Sequence, residues 1–296
     1  MSPATVRRGS VAVVGCGWLG LPLAEHLAAR GYEVHGSTTR PDRLESLRRA
    51  GARAYLVRLP LARPPAAEGD PERTDGAAAA TVDGAAARPP DDAALWACEQ
   101  LVLTVPPGRR ADAERTYPAA ILSAVLRYRR AQPAGRIVFT SSTGVYDGLT
   151  GRVNERSPVL GRSPKSRKLA LAESQVIAQS QRPHVVLRLG GLYGGERHPG
   201  RYLAGKRDVP DGDAPVNLAS RERVVRTIAA LLDHPFWRQP ILNVVEPDHP
   251  TKRDYYGAYA REHGLPPPRF LAGGTDGKVV ESLYPPLVGE SGGPLT

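Results

Sequence analysis

The chain has 296 residues and a mass of 31.7 kDa, enough for one large domain or two entwined ones whose core needs no disulfide or metal staple. Its 41% hydrophobic and 24% charged residues exclude a mainly disordered chain, and no apolar run reaches the about 18–20 residues of a membrane span. The net charge of +10 comes from scattered arginines without a nucleic-acid motif, so neither a nucleic-acid nor a membrane partner is expected.

Residues 11–14 form a short apolar run that suits a buried parallel strand. Residues 18–30 read as a helix, with Leu19, Leu23 and Leu27 every four residues and Gly31 as its stop. A second strand is expected over 32–37 and a second helix over 41–50. Pro41 stands near the start of that helix, where its missing N–H costs little. Residues 53–59 read as a third strand. From 61 to 94 the sequence collapses to Ala, Pro, Gly, Asp and Glu. Such a stretch has too few large side chains to offset its ordering entropy and reads as a disordered or loosely packed acidic insertion. Strands are then expected over 101–105 and 136–141, with a helix over 111–130 that contains Pro118. A helix over 165–181 and a strand over 184–189 follow. The remainder shows a helix over 221–232, a strand over 241–245, a helix over 252–263 and a loose tail over 290–296.

Apolar strands alternating with helices predict an α/β doubly wound parallel sheet covered on both faces. The expected division is a dinucleotide-binding domain over residues 1–189 and a smaller substrate-covering part over 190–296, interleaved with the last sheet elements.

Between the first strand and first helix stands Gly15-Cys16-Gly17-Trp18-Leu19-Gly20, a G-x-G-x-x-G spacing. Gly15 allows the tight turn, Gly17 lets backbone approach a pyrophosphate, and Gly20 lets the helix pack closely on the strand. The helix N-terminus stabilises the phosphate charge through its free N–H groups. The end of the second strand reads the ribose. An NAD site usually places an Asp or Glu there, but residues 34–40 hold none. Ser37, Thr38, Thr39 and Arg40, with Arg43 one turn on, suit a 2′-phosphate instead, so NADP is favoured and NAD is the alternative.

The fifth strand ends in Thr140-Ser141-Ser142-Thr143-Gly144-Val145-Tyr146, on the sheet edge where ligands bind in such folds. This stretch resembles the extended short-chain dehydrogenase/reductase superfamily, of the NAD-dependent epimerase/dehydratase type. The resemblance continues through Asn154 to Pro158, Ala170 to Glu173, Leu187 to Gly194, Pro215 to Asn217 and Leu242 to Val245. The segment from Glu246 to Pro250, followed by a Tyr-rich helix, is most similar to the atypical YeeZ-like branch.

The resemblance implies a Rossmann fold, cofactor contacts from the glycine loop, Thr39, Arg40, Pro106 and Ser141, and a substrate oxygen held by Ser142. The superfamily then uses a Tyr-x-x-x-Lys pair on the next helix. Counted back from Glu173, those positions hold Lys165 and Leu169, and no tyrosine lies between Asp147 and Val185. Lys165, Lys168, Tyr146 and Tyr193 are the candidate substitutes, each weighed against a plain structural role. Lys168 is one residue off the lysine position, about 100° around the helix.

Other chemistries fit poorly. No two histidines stand four apart and no Cys-x-x-Cys exists, so no metal is expected. The serines lie in no G-x-S-x-G elbow. Two cysteines, Cys16 and Cys98, make no disulfide framework and point to a reducing, cytoplasmic home. The helix N-terminus lowers a thiol pKa in principle, although Cys16 reads first as a small residue in a tight turn. Residues 1–10 lack the pattern of a signal peptide. The expected function is an NADP-preferring oxidoreductase or epimerase-like enzyme on a small polar substrate, as a monomer or homodimer. The rival is a non-catalytic dinucleotide-binding redox sensor or scaffold.

Overall fold

The computed structural model describes residues 8–61, 92–108, 111–178, 183–234, 237–284 and 287. The tail at 290–296 and nearly all of the acidic insertion lie outside these residues. In chain order the elements are β1 (Ser10–Val14), α1 (Gly20–Ala29), β2 (Glu33–Thr38), α2 (Leu44–Arg49), β3 (Arg53–Leu56), α3 (Ala93–Trp96), β4 (Gln100–Leu103), α4 (Ala113–Ala131) and β5 (Arg136–Ser142). A 3₁₀ turn at Thr143–Tyr146 leads on to β6 (Gly151–Val153), α5 (Pro164–Ala178), β7 (His184–Leu189), β8 (Gly191–Tyr193) and α6 (Pro199–Leu203). The chain continues with β9 (Leu218–Ser220), α7 (Arg221–Asp233), β10 (Ile241–Val244), α8 (Lys252–Glu262) and β11 (Lys278–Val280).

Seven strands form one sheet in the order β10-β7-β5-β4-β1-β2-β3, every pair parallel. This is the doubly wound α/β sheet expected. Strand alternation explains why β1 is apolar throughout. Val11 and Val13 join Leu23 and Leu27 of α1, Leu47 of α2 and Val224 and Ile228 of α7 in one core. Ala12 and Val14 belong to the opposite core with Trp96, Ile121 and Val125, and Leu169 and Val176 of α5. Strands buried on both faces cannot show a polar face. The connections reverse direction between β1 and β4, so a crevice opens beyond the carboxyl ends of these two strands.

Residues after β7 return β10 and α7 to the sheet and build small satellites. β8 pairs with β9, and β6 with β11. Val216, Leu218 and Tyr256 form a third apolar cluster. Glu155 holds the last segment down. It accepts from the Asn243 N–H of β10 (2.8 Å), the Ser282 hydroxyl (2.7 Å) and the Leu283 N–H (2.9 Å).

The structure departs from expectation at particular elements. α1 starts at Gly20 rather than Trp18, because the Gly17 N–H closes on the Gly15 carbonyl at 2.6 Å in a turn tighter than a helix. The expected helix over 41–50 divides into a 3₁₀ turn at Pro41–Arg43 and α2. The edge assigned to the low-complexity insertion holds α3, whose Trp96 is fully buried and donates its indole N–H to Asp92 at 2.9 Å. No described helix is long and apolar enough to cross a membrane.

Candidate active site

The glycine loop is closed toward the protein and open toward the crevice. Gly15 has φ +98°, and a Cβ there would lie 3.0 Å from the Val105 nitrogen. The Gly15 carbonyl accepts from the Thr104 hydroxyl at 2.9 Å, and the Cys16 N–H donates to the Ser37 carbonyl at 2.7 Å. These bonds tie the loop to the ends of β4 and β2. A Cβ on Gly20 would fall 2.6 Å from Thr104 Oγ1 and 2.7 Å from the Gly15 oxygen, so only glycine lets α1 start there. A Cβ on Gly17 meets nothing nearer than the Gly15 oxygen at 3.9 Å. That open space beside the first turn of α1, whose N–H groups have no intrahelical partner, fits a diphosphate. Leu19 is buried in the core, so its share in any contact is through its backbone. The Cys16 thiol donates to the Val13 carbonyl at 3.2 Å, and burial pushes it up to about 12. Burial outweighs the backbone hydrogen bond at Ser37, which acts in the opposite direction.

A cleft of about 500 Å³ runs from this loop past Trp18 to Thr39, Arg40 and Arg43 on one side and Pro106, Gly108 and Tyr117 on the other. Its shape and wall suit the adenosine half of a dinucleotide. The Arg40 guanidinium is exposed and paired with Asp42 (Nε to Oδ1 3.1 Å), an acid just past the stretch where sequence reading sought one. The hydrogen bond from Arg40 holds the Asp42 carboxyl below its ordinary range.

At the end of β5 the two serines part. Ser142 Oγ accepts from the Gly144 N–H at 3.1 Å and is half-buried, which leaves its proton and a lone pair for another partner. Lys165 lies against the same turn. A Cβ on Gly144 would stand 2.8 Å from Lys165 Cε and 3.2 Å from Nζ, so the missing side chain makes room for the lysine. The structure therefore brings Ser142 and Lys165 to one turn. Lys168 turns toward the Pro-Pro-Gly loop and donates to the Gly108 carbonyl at 3.0 Å. Lys278 of β11 is half-buried. Burial pushes its ammonium down, Asp147 opposes this, and Lys165 adds to it.

Two expected site residues belong to the interior instead. Ser141 donates to Glu173 at 2.6 Å. Tyr146 is fully buried, donates to Asn243 at 2.9 Å and accepts from Arg188 at 2.9 Å. Arg188 reaches Glu173 with Nε and Nη2, the latter at 2.7 Å, and stacks over the Tyr146 ring at 4.9 Å. Buried polar groups need such partners. This network spans β5, α5, β7 and β10 and engages the hydroxyls of both Ser141, expected as a cofactor contact, and Tyr146, expected as a proton donor. Tyr193 donates to Glu246 at 3.4 Å. Thr104 and Lys278 carry no signal in the sequence that marks them as neighbours of the site, apart from the strand-end position of Thr104. Arg197 and Arg221, which lie over the Trp18 ring, carry none either.

The parallel sheet, the order of its strands and the glycine loop at its switch point define a Rossmann-type α/β protein. No protein-family model matches the chain. Among solved structures, UDP-glucuronic acid 4-epimerase from Bacillus cereus, in complex with NAD, is similar with a TM-score of 0.66 at 15% identity, over 92% of this chain and 89% of that one. The Bordetella bronchiseptica enzyme WbmG, in complex with NAD, gives 0.67 at 16% identity, over 97% and 87%. Protein YeeZ of Escherichia coli (strain K12) is 36% identical over 272 residues, covering 90% of this chain and 89% of that protein. The chain belongs to the YeeZ family.

Proposed function

We propose that the protein is an NAD(P)-dependent oxidoreductase or epimerase-like enzyme acting on a small polar substrate. The observation that carries this reading is the glycine loop, closed on its protein side by Thr104 and Ser37 and open at Gly17. The NAD complexes of the structural relatives support the same cofactor class. The cofactor supplies the hydride donor or acceptor. Gly15, Gly17, Trp18, Leu19 and Gly20 would hold its diphosphate, and Pro106 and Thr39 would wall its adenosine. Arg40 and Arg43 line the cleft where a 2′-phosphate would stand, which favours NADP. The bond from Asp42 to Arg40 must open or be shared for this contact.

Ser142 orients the substrate oxygen through its free proton, and Lys165 carries the proton that the missing tyrosine carries elsewhere in the superfamily. Lys168 positions the Gly108 loop. The substrate-covering part is built mainly of residues 190–296.

Turnover decides between this reading and a non-catalytic dinucleotide sensor. The parent protein is assayed with NADPH and NADH against a panel of carbonyl compounds and UDP-sugars, the ligand class found with some structural relatives. Turnover that falls about 10²–10⁴-fold in Ser142→Ala and Lys165→Met, with NADPH affinity retained, supports the reading. Undiminished turnover in Ser142→Ala overturns the site. Cofactor binding without turnover anywhere on the panel favours the sensor.

A further inference from the structure

Trp18 of the glycine loop lines the cleft and also meets the C-terminal part of the chain. The guanidinium carbon of Arg197 lies 5.1 Å from the centre of its ring, and that of Arg221 lies 4.8 Å away. Both are within the range of a cation–π contact. Arg197 follows the Gly194-Gly195 turn and is exposed. Arg221 is the first residue of α7 and half-buried. The turn is shaped for Arg221. A Cβ on Gly195 would lie 2.8 Å from its Nη2, and one on Gly194 would lie 3.3 Å from its Cβ, both glycines having positive φ. Most other arginines of this region are engaged, as Arg223 is with Glu246 at 2.8 Å and Arg253 with Asp213 at 3.2 Å. Neither Arg197 nor Arg221 has a carboxylate or side-chain hydrogen-bond partner among the described residues. Two like charges gathered on one indole repel each other, and an anion bound at the adjoining Gly15–Gly20 loop would offset that repulsion.

We propose that Arg197 and Arg221, held on Trp18, form a cationic clamp through which the C-terminal part of the chain grips the diphosphate of a dinucleotide lying on the Gly15–Gly20 loop. The proposal rests on the cofactor reading above and adds to it a second wall, from residues about 180–200 positions later in the sequence. The clamp couples cofactor retention to the seating of the C-terminal part. It also gives the loop a charge that backbone N–H groups alone lack.

The test compares ligands with and without a diphosphate. NADPH, 2′-phospho-ADP-ribose, adenosine 2′-monophosphate and UDP-glucose are titrated calorimetrically into the parent, Arg197→Gln, Arg221→Gln and the double variant, with Arg221→Lys as the charge-retaining control. A charge-assisted contact corresponds to about 10- to 150-fold in affinity. The double variant is expected to lose at least that for NADPH and 2′-phospho-ADP-ribose and to keep adenosine 2′-monophosphate within about twofold. Arg221→Lys recovers part of the loss, and added KCl weakens NADPH binding less in the double variant than in the parent. Parent-like NADPH affinity in the folded double variant overturns the clamp alone. A parent that binds neither NADPH nor NADH overturns the cofactor reading with it. A double variant that keeps NADPH but loses UDP-glucose assigns the arginines to a substrate's diphosphate and overturns the clamp as stated.

Discussion

Gly17 and Gly20 stand three residues apart, and a side chain at each has a different consequence. Alanine at a helix position ordinarily gains up to about 1 kcal/mol over glycine. At Gly20 the new carbon would overlap the Gly15 oxygen at 2.7 Å, so Gly20→Ala is expected to lower the melting temperature and weaken dinucleotide binding together. Gly17→Val fills open space, so it should melt like the parent and fail to bind. Thermal melts beside NADPH fluorescence titrations separate the two, and unchanged affinity in Gly17→Val would remove the loop from the cofactor site. Arg40→Ala tests cofactor choice at the same scale. If its guanidinium leaves Asp42 for a 2′-phosphate, NADPH affinity falls about 10- to 150-fold and NADH affinity hardly moves. Equal losses for the two cofactors would return Arg40 to a surface role.

At the scale of elements, side-chain ties fix how the later helices and strands sit on the sheet. Asp233, the last residue of α7, accepts from the Tyr32 hydroxyl at 2.6 Å and pairs with Arg8 and Arg30. Burial pushes its carboxyl up, but the hydrogen bonds from Tyr32, Arg8 and Arg30 outweigh it and hold the group below its ordinary range. A depressed carboxylate contributes its stability above the unfolded value of about 3.9 and loses it as pH falls through the lower folded value. Asp233→Asn should therefore cost about 1 kcal/mol at neutral pH, a figure kept small because the arginines are partly exposed. The gap to the parent should close in urea melts run progressively below pH 4. A pH-independent gap would mean that packing, not charge, sets it. Glu155→Ala removes the acceptor of two backbone N–H groups, and each left unpaired costs about 1–3 kcal/mol. Its melting temperature should fall, and an unchanged value would show that the last segment is held by other contacts.

The βαβ start of the chain and its glycine loop were legible because period, stop residue and spacing agree within thirty residues. Trp96 was not, since its helix is one turn long and adjoins an alanine-rich stretch with no period. The three-residue strands β6, β8, β9 and β11 are too short to show alternation. Ser141 looked like a site residue because a strand end places side chains alternately in the crevice and in the core, and the sequence alone does not say which is which; Tyr146 follows in a 3₁₀ turn whose direction no periodicity reports. The Arg197–Trp18 and Arg221–Trp18 contacts join distant segments, which local patterns do not report.

For the whole molecule, the crevice lies where the two halves of the sheet diverge, so a ligand there touches both. Saturation at about 100 times Kd should add about 2.7 kcal/mol to unfolding, read as a rise in melting temperature that Gly17→Val lacks. The loop also contains its own chemical timer. Cys16 is 2% exposed with a thiol pushed up to about 12, so its alkylation is expected to require an opening of the surrounding structure. Cys98, equally enclosed, packs in the opposite core with Trp96. The rate at which Cys16 acquires label, followed by mass spectrometry, thus counts openings of the phosphate loop. Bound dinucleotide should slow that clock while Cys98 keeps nearly its own pace, so one unmodified sample reports breathing at the ligand and breathing of the core side by side.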